Sequence, residues 1–423
     1  MAKTLFTGVQ VLDCTGADPF PGEVLVEGNR ITAVVDSSQS LSREGATVVD
    51  GGGTAVLMSG LIESHSHLSI ENAGSLEEIG MIPPEETTLI AMSNAKLYLD
   101  CGITSCISAA SAKPRTDVVI RNAINEGRIP GPRLLAATPW LTVTGGLGDM
   151  RTLHMPDVSS MAIMIDGPEN FRRVTRELIR EGVDIVKLVI SGDTFVPHAP
   201  SHSTVMSEAE VAAVAEVVHA HGKRMSAHAR SADSVKLAVK YGIKVIYHAN
   251  FADEEAFDML EENKDWVFVS PNIGFTAIAA EGGRGAFTEQ QVEELGFKEE
   301  LAGAARGLAE LKKRGVRILG GGDYGFNLTP HGDNARDLDH LITHCGLTPM
   351  ESILSMTKHG GAAMDLPDEL GQIKEGYLAD LLLVAKSPLP DPKVLLDRDN
   401  LLAVMKDGEY HKQLAKGIRA ANA

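Results

Sequence analysis

Two histidines two residues apart, His65 and His67 in "GLIESHSHLSIE", follow a run of apolar and small residues. In a β-strand alternate side chains leave on the same face, so both imidazoles would point together past the strand's end. Two imidazoles aimed at one point suggest a metal. Lys187 in "DIVKLVISG", His228 in "MSAHAR", His248 in "IYHAN" and Asp323 in "LGGGDYG" also sit in or at the ends of strand-like runs. Any one of these histidines alone would ordinarily be a satisfied core or loop residue; their joint occurrence at strand ends argues for a metal. Lys187 is the most informative, because a buried ammonium is expensive and cannot ligate a cation. Either carbon dioxide carbamylates it, giving a carboxylate able to bridge two cations, or a buried carboxylate pairs with it. Asp323, beside three glycines, is a ligand or a turn residue. His219 and His221 also form His-x-His, but at the end of a helical pattern, where residues i and i+2 do not face each other. "GGGDYG" fits G-x-G-x-x-G formally, yet the following "FNLTPHGD" starts no helix, which argues against a dinucleotide site.

Something must hold these residues together. Eight strand-like runs, "TAVLMSGLIESH", "GITSCISAA", "PRLLAATPWLT", "DIVKLVISG", "KRMSAHA", "KVIYHA", "WVFVSPNIG" and "VRILGGGD", are separated by helical patterns such as "PENFRRVTRELIREG" and "MSEAEVAAVAEVVHAHG". Ser231 is a candidate N-cap for "SADSVKLAVKYG". The alternation predicts a (β/α)8 TIM-like barrel over 60–366, in which strand C-termini build the active site. The two ends read differently: short strands and Gly-containing turns over 1–59 and 367–423 predict one small β-sandwich domain formed by both chain termini.

Bulk properties narrow the function. The 423 residues carry Lys+Arg 39 against Asp+Glu 57, a net charge of -18, which argues against nucleic acid and anionic membrane partners. The first residues, "MAKTLFTGVQVLDCTG", contain no apolar h-region and no segment has the length of a membrane span, so a cytoplasmic protein is expected. Cys14, Cys101, Cys106 and Cys345 have no finger spacing and read as small buried hydrophobes.

With these residues in view, the chain resembles the amidohydrolase superfamily, most of all the imidazolonepropionase-related branch with Xaa-Pro dipeptidases (prolidases), ochratoxin amidases and xenobiotic amide or urea hydrolases. The resemblance runs from "GLIESHSHL" through "TGGLGD", "VKLVISG", "AHA", "YHANFADEEA" and "GGGD" to "LGQIKEGYLADLLLV". It implies two divalent ions, zinc first with manganese or cobalt compatible: His65, His67 and Asp323 hold one, His228 and His248 the other, and carbamylated Lys187 bridges them. It further implies that Asp323, with His248 beside it, is catalytic, Asp323 moving a proton from the attacking water to the departing nitrogen. The implied reaction is cleavage of a carbon–nitrogen bond in a small N-acyl amino acid, dipeptide or ochratoxin-like amide. A phenylurea, carbamate or thiocarbamate hydrolase is the alternative, and a homo-oligomer is expected by analogy. A metal-free structural or binding homologue would be expected to have lost ligands, and all six positions are filled.

The chain departs from the prolidase-like pattern where substrate would lie. Leu147 stands in place of His, Arg230 in place of Tyr, and "YHA" in place of Glu-His-Gly. Arg230 could offer a guanidinium fork to a substrate carboxylate or start a helix on a solvated face. His198 and His202, in the loop after the fourth run, and Tyr324 and Trp140 near strand ends are further expected substrate contacts. The glycine-rich "IAAEGGRGAF" reads as a mobile lid or a long connection.

Overall fold

A computed structural model describes residues 2–154, 160–412 and 420–422. The stretch 413–419 of the expected C-terminal β-unit lies outside the described residues. Each of the eight expected runs overlaps a barrel strand: Leu61–Ser66, Ile103–Ser108, Arg133–Leu135, Ile185–Val189, Arg224–Ser231, Val245–Phe251, Phe268–Ser270 and Arg317–Ile318, the first, fifth and sixth strands extending one or two residues past the expected run. Neighbours pair in parallel, and the ring closes where Ala137 bridges Ile185 and where the Ser64 hydroxyl donates to the Gly320 carbonyl at 2.7 Å.

Two runs are divided in ways the sequence reading did not expect. "TAVLMSGLIESH" breaks at Gly60: Val56–Ser59 joins the terminal sheet and Leu61–Ser66 enters the barrel. A Cβ on Gly60 would lie 2.2 Å from Thr104 Oγ1, so only glycine lets the chain cross that seam. "PRLLAATPWLT" divides into Arg133–Leu135 and Trp140–Thr142 around Pro139, which has no N–H for a continuous ladder. Trp140–Thr142 then pairs with an additional strand, Ala162–Met164.

Both ends of the chain build one nine-stranded sheet, in which Val56–Ser59 runs antiparallel to Leu381–Val384. Alternation explains why these short strands are buried throughout and almost wholly apolar. Leu57, Leu381 and Leu383 face the terminal unit's own core with Phe6, Val11 and Val24, whereas Val56, Met58, Leu382 and Val384 face barrel residues such as Ala95, Tyr98 and Ile103. Each face is buried against a different partner, so the sheet buttresses the barrel.

Helices cover the barrel. Glu208–Ala220 starts with a capping box between Ser207 and Glu210. Ala232–Lys240 begins after Ser231 as expected, but the Ser231 hydroxyl pairs with that of Thr204 at 2.8 Å instead of capping the helix. His219 and His221, at the end of Glu208–Ala220, are exposed. All four cysteines are buried and free, and burial pushes the Cys14 thiol up to about 11. Among the described residues no helix is long and apolar enough to cross a membrane.

Candidate active site

His65 is the penultimate residue of the wholly buried strand Leu61–Ser66 and His67 lies one residue beyond it, with ring centroids 5.0 Å apart. Both Nε2 atoms face Asp323 Oδ1, at 3.3 Å from His65 and 3.2 Å from His67. Asp323 comes from the loop after the eighth barrel strand and adopts φ +61°, a left-handed conformation uncommon for a non-glycine residue. Its carbonyl accepts the Thr329 hydroxyl at 2.6 Å. The preceding glycines let this loop lie against its neighbours: a Cβ on Gly321 would meet Glu63 Oε1 at 2.6 Å, and one on Gly322 the Tyr324 ring at 2.3 Å.

On the other side His228 and His248 stand with ring centroids 4.5 Å apart, and His248 is 5.7 Å from His65. His248 has φ +78°, and Ala249, where the resembled pattern carries Gly, has φ +54°. Two successive residues in this region cost of order 1–3 kcal/mol each, conformations that persist where surrounding structure imposes them. Lys187 is 1% exposed, its Nζ 3.8 Å from the centroid of the Tyr247 ring. Among the described residues no carboxylate forms an ion pair with it.

Protonation states follow from burial. Burial drives the His65 and His248 imidazoles well below their ordinary range, and burial together with Arg230 brings His228 down to about 3, so all three are neutral at pH 7. Burial likewise depresses the Lys187 ammonium strongly. For Asp323, burial opposes ionisation, but the electrostatic influence of the adjoining His65, His67 and Lys187 outweighs it and holds the carboxyl below its usual range.

The donor set fits a divalent ion. His65 Nδ1, His67 Nε2, His248 Nδ1 and Asp323 Oδ1 are buried without a well-aligned hydrogen-bond partner, although buried polar atoms are normally satisfied. His65, His67 and Asp323 offer ligand atoms within 4.8 Å of one another. A backbone carbonyl can only accept, so His67 Nδ1 donates to Ala110 O at 3.3 Å and His228 Nε2 to Gly192 O at 3.0 Å. Each ring's other nitrogen is thereby left with a lone pair, the arrangement that orients metal-ligating imidazoles.

Glu63 supports this floor, and sequence reasoning missed it. It accepts the His65 N–H at 3.1 Å and Asn334 Nδ2 at 3.0 Å, and burial pushes its carboxyl up to about 8. Its signal was the same as that of Lys187: an ionisable residue inside an apolar strand.

The site opens into a cavity of ≈ 450 Å³ lined by His65, Lys187, His228, Arg230, His248 and Asp323. Leu147 and Trp140 also line it, as do Phe195, Phe275, Phe287 and Phe326. Four of the chain's 11 phenylalanines thus converge on one wall. Phe275 meets Phe195 and Phe326 edge-on, with 5.6 and 6.1 Å between centroids, and Phe195 and Phe287 are tilted against each other at 6.4 Å. The glycine-rich segment is part of this wall, because Ala286 and Phe287 face the cavity while Arg284 is tied to Asp333 at 2.8 Å.

Three expected substrate contacts are not brought to the cavity lining. His198 is exposed. His202 is exposed too, stacked on Phe251 at 3.8 Å, because the loop folds back toward the sixth strand. Tyr324 is fully buried under the glycine loop. Arg230 does reach the cavity, but Nε donates to Asp193 at 2.9 Å, and Nη1 to Glu300 at 2.9 Å and Asn250 at 3.1 Å. Its charge is matched by two carboxylates of the protein itself.

A TIM-like barrel with a terminal sheet unit and a His-His-Asp cluster at the strand C-termini defines a class of barrel hydrolases. Residues 56–410 match the Amidohydrolase family, and the chain belongs to it. Ochratoxinase from Aspergillus niger is 26% identical over 418 residues, covering 93% of this chain and 84% of that protein. A crystal structure of a prolidase complexed with N-methylphosphonate-L-proline superposes with a TM-score of 0.85 at 25% identity, covering 97% of this chain and 100% of the other. The crystal structure of A. niger ochratoxinase, at 22% identity, shares the fold with a TM-score of 0.83 over 100% of this chain and 99% of that one. The chain is accordingly a hydrolase acting on a small molecule.

Proposed function

We propose that this protein is a metal-dependent amidohydrolase that cleaves the carbon–nitrogen bond of a small amide carrying an apolar group. The observation that carries the reading is the convergence of imidazoles with unpartnered buried nitrogens, on His65, His67 and His248, with Asp323 and Lys187 on the floor of a mostly apolar cavity. His65, His67 and Asp323 would hold one ion, His228 and His248 a second, with Lys187 N-carboxylated between them. A neutral amine is the form that reacts with carbon dioxide, and burial keeps Lys187 in it. Zinc suits these donors best, with manganese or cobalt compatible, and such a pair supplies Lewis acidity and lowers the pKa of water toward neutrality.

Asp323 receives the proton of the attacking water and returns it to the departing nitrogen, which leaves poorly as an anion. Its ionised state at pH 7 suits the first of these tasks. The phenylalanine wall and Leu147 seat the substrate's apolar portion and exclude water around the scissile bond. Substrate would be an N-acyl amino acid, a dipeptide or an ochratoxin-like amide, the last in keeping with the A. niger relative.

One observation favours a second reading. With Arg230 held by Asp193 and Glu300, the cluster contributes no surplus positive charge to draw a carboxylate, which suits a neutral phenylurea, carbamate or thiocarbamate. The test is metal content of the purified protein, with hydrolysis of N-acyl amino acids, dipeptides, anilides, phenylureas and thiocarbamates assayed with and without bicarbonate. Two ions per chain with amide cleavage supports the main reading. Activity confined to ureas or thiocarbamates supports the second, and activity that survives complete metal removal refutes both.

A further inference from the structure

A second cavity of ≈ 470 Å³ opens at the opposite end of the barrel, around the N-terminal ends of the last four strands, and shares no lining residue with the catalytic one. Arg224, which begins the fifth strand, is four residues before His228, about 13 Å along the strand. Lys244 immediately precedes the sixth strand, Phe268 begins the seventh and Arg317 begins the eighth. The parallel register places these positions side by side: Lys244 O accepts the Phe268 N–H at 2.9 Å, and Phe268 is the ladder partner of Arg317. Lys223 and His219 complete the basic lining.

In a chain with net charge -18, this concentration of cations is unusual, and the protein does not fully neutralise it. Asp365 accepts from both Arg224 Nε and Lys244 Nζ, so one carboxylate serves two cations. Arg317 has no ion pair among the described residues; Asp265, the second carboxylate of the lining, acts on it through its charge without a direct contact. Its guanidinium stacks on the Phe268 ring, Cζ 3.9 Å from the centroid, which fixes the plane of the fork. Its Nε and Nη2 are buried without a hydrogen-bond partner. Buried donors left unsatisfied in this way carry an uncompensated desolvation penalty, larger when charged. Burial, aided by Arg224 and Arg317, brings the Lys244 amine down to about 8, as expected where like charges crowd together.

We propose that this basal cavity binds a phosphoryl-bearing small molecule, with the fixed Arg317 fork and Lys244 as its main donors. A guanidinium held in one plane matches two phosphate oxygens, and an adjacent ammonium adds a point charge. The volume exceeds that of phosphate alone and lies in the range of small-molecule pockets, so the ligand is a phosphorylated metabolite. The lining sets four Lys/Arg cations, Lys223, Arg224, Lys244 and Arg317, against two carboxylates, Asp265 and Asp365, and the ligand's dianionic charge relieves the repulsion that remains. The site is independent of the hydrolytic reading, since it lies at the other end of the strands.

The test is calorimetric titration of the metal-loaded protein with inorganic phosphate and with pyrophosphate, at ionic strength held constant with sodium chloride. Wild-type protein binds pyrophosphate with a Kd of millimolar or tighter. The Arg317→Gln variant weakens that binding at least tenfold, while hydrolysis measured without phosphate stays within twofold. Should that variant not fold, Lys244→Gln carries the same tenfold expectation. Absence of binding beyond the chloride control overturns the proposal. So does unchanged affinity in the folded variant, which would place the anion at the catalytic centre, where it would also inhibit hydrolysis equally in both proteins.

Discussion

Asp323 touches both His65 and His67 and is held ionised by them against the cost of burial. Replacing it with Asn preserves shape and removes the proton carrier. D323N should lower kcat by about 10²–10⁴-fold, the usual contribution of positioned acid–base groups, with little change in the far-UV spectrum or thermal midpoint. An active D323N would remove Asp323 from the proposed proton path. A second residue, His331, which lies beside the His67 backbone, gives a pH prediction for stability. His331 is 9% exposed, donates Nε2–H to Ile70 O at 2.9 Å and packs edge-on against Tyr98. Burial lowers its imidazole from 6.5 to about 4, so the folded state disfavours its protonation. The stability it secures is complete above pH 6.5 and is lost as pH falls through 4, about 3 kcal/mol by linkage. Denaturant titrations at pH 7 and pH 4 should show a smaller acid loss for His331→Gln than for wild type. Equal losses would assign the acid sensitivity to other groups.

At the scale of elements, the short seam between the terminal sheet and the barrel is a point of close approach. Gly60 lets Val56–Ser59 and Leu61–Ser66 follow one another while Thr104 packs against the turn. Gly60→Ala should destabilise by about 1–3 kcal/mol through overpacking. Thr104→Ala in the same chain should return part of that loss, because it removes the two nearest of the atoms in conflict. A double-mutant cycle in urea measures this coupling, and additive losses would show that the strain lies elsewhere. The strand ends show a related feature: His248, Ala249 and Asp323 all have positive φ, so the His248 and Asp323 side chains are aimed into the site by backbone that the barrel imposes.

For the whole molecule, the two chain ends are structurally one unit. Leu381–Val384 supplies both the antiparallel partner of Val56–Ser59 and apolar side chains to two separate cores. Truncation after Leu378 would leave Val56–Ser59 as an open apolar edge and uncover the barrel face containing Tyr98 and Ile103. Such a chain should be insoluble or lack a cooperative thermal transition. A soluble truncated protein with wild-type activity would show that the barrel stands without its buttress. Chelation tests the other end of the fold: the unpartnered imidazoles predict a fall in thermal midpoint after metal removal and recovery with zinc, read by calorimetry without any substrate.

The periodicity of the sequence determined the barrel and its eight strands, because side-chain alternation and apolar runs are local properties. The same pattern exposed His65, His67, Lys187, His228, His248 and Asp323, since ionisable residues at the ends of apolar strands stand out without knowledge of their neighbours. Residues that meet only through folding were not legible in this way. The phenylalanine wall draws Phe195, Phe287 and Phe326 from loops and Phe275 from the helix Ile273–Ala280, and no spacing links them. Arg230 looked available to a substrate because Asp193 and Glu300, its partners, are 37 and 70 residues away. His198 and His202 share the loop expected to overhang the site, yet its path carries both side chains away from the lining. Sequence determined which chemistry the strand ends can present, a matter of residue type and period. Tertiary structure decided which charges are already matched and which loops close the cavity, because those depend on contacts between distant parts of the chain.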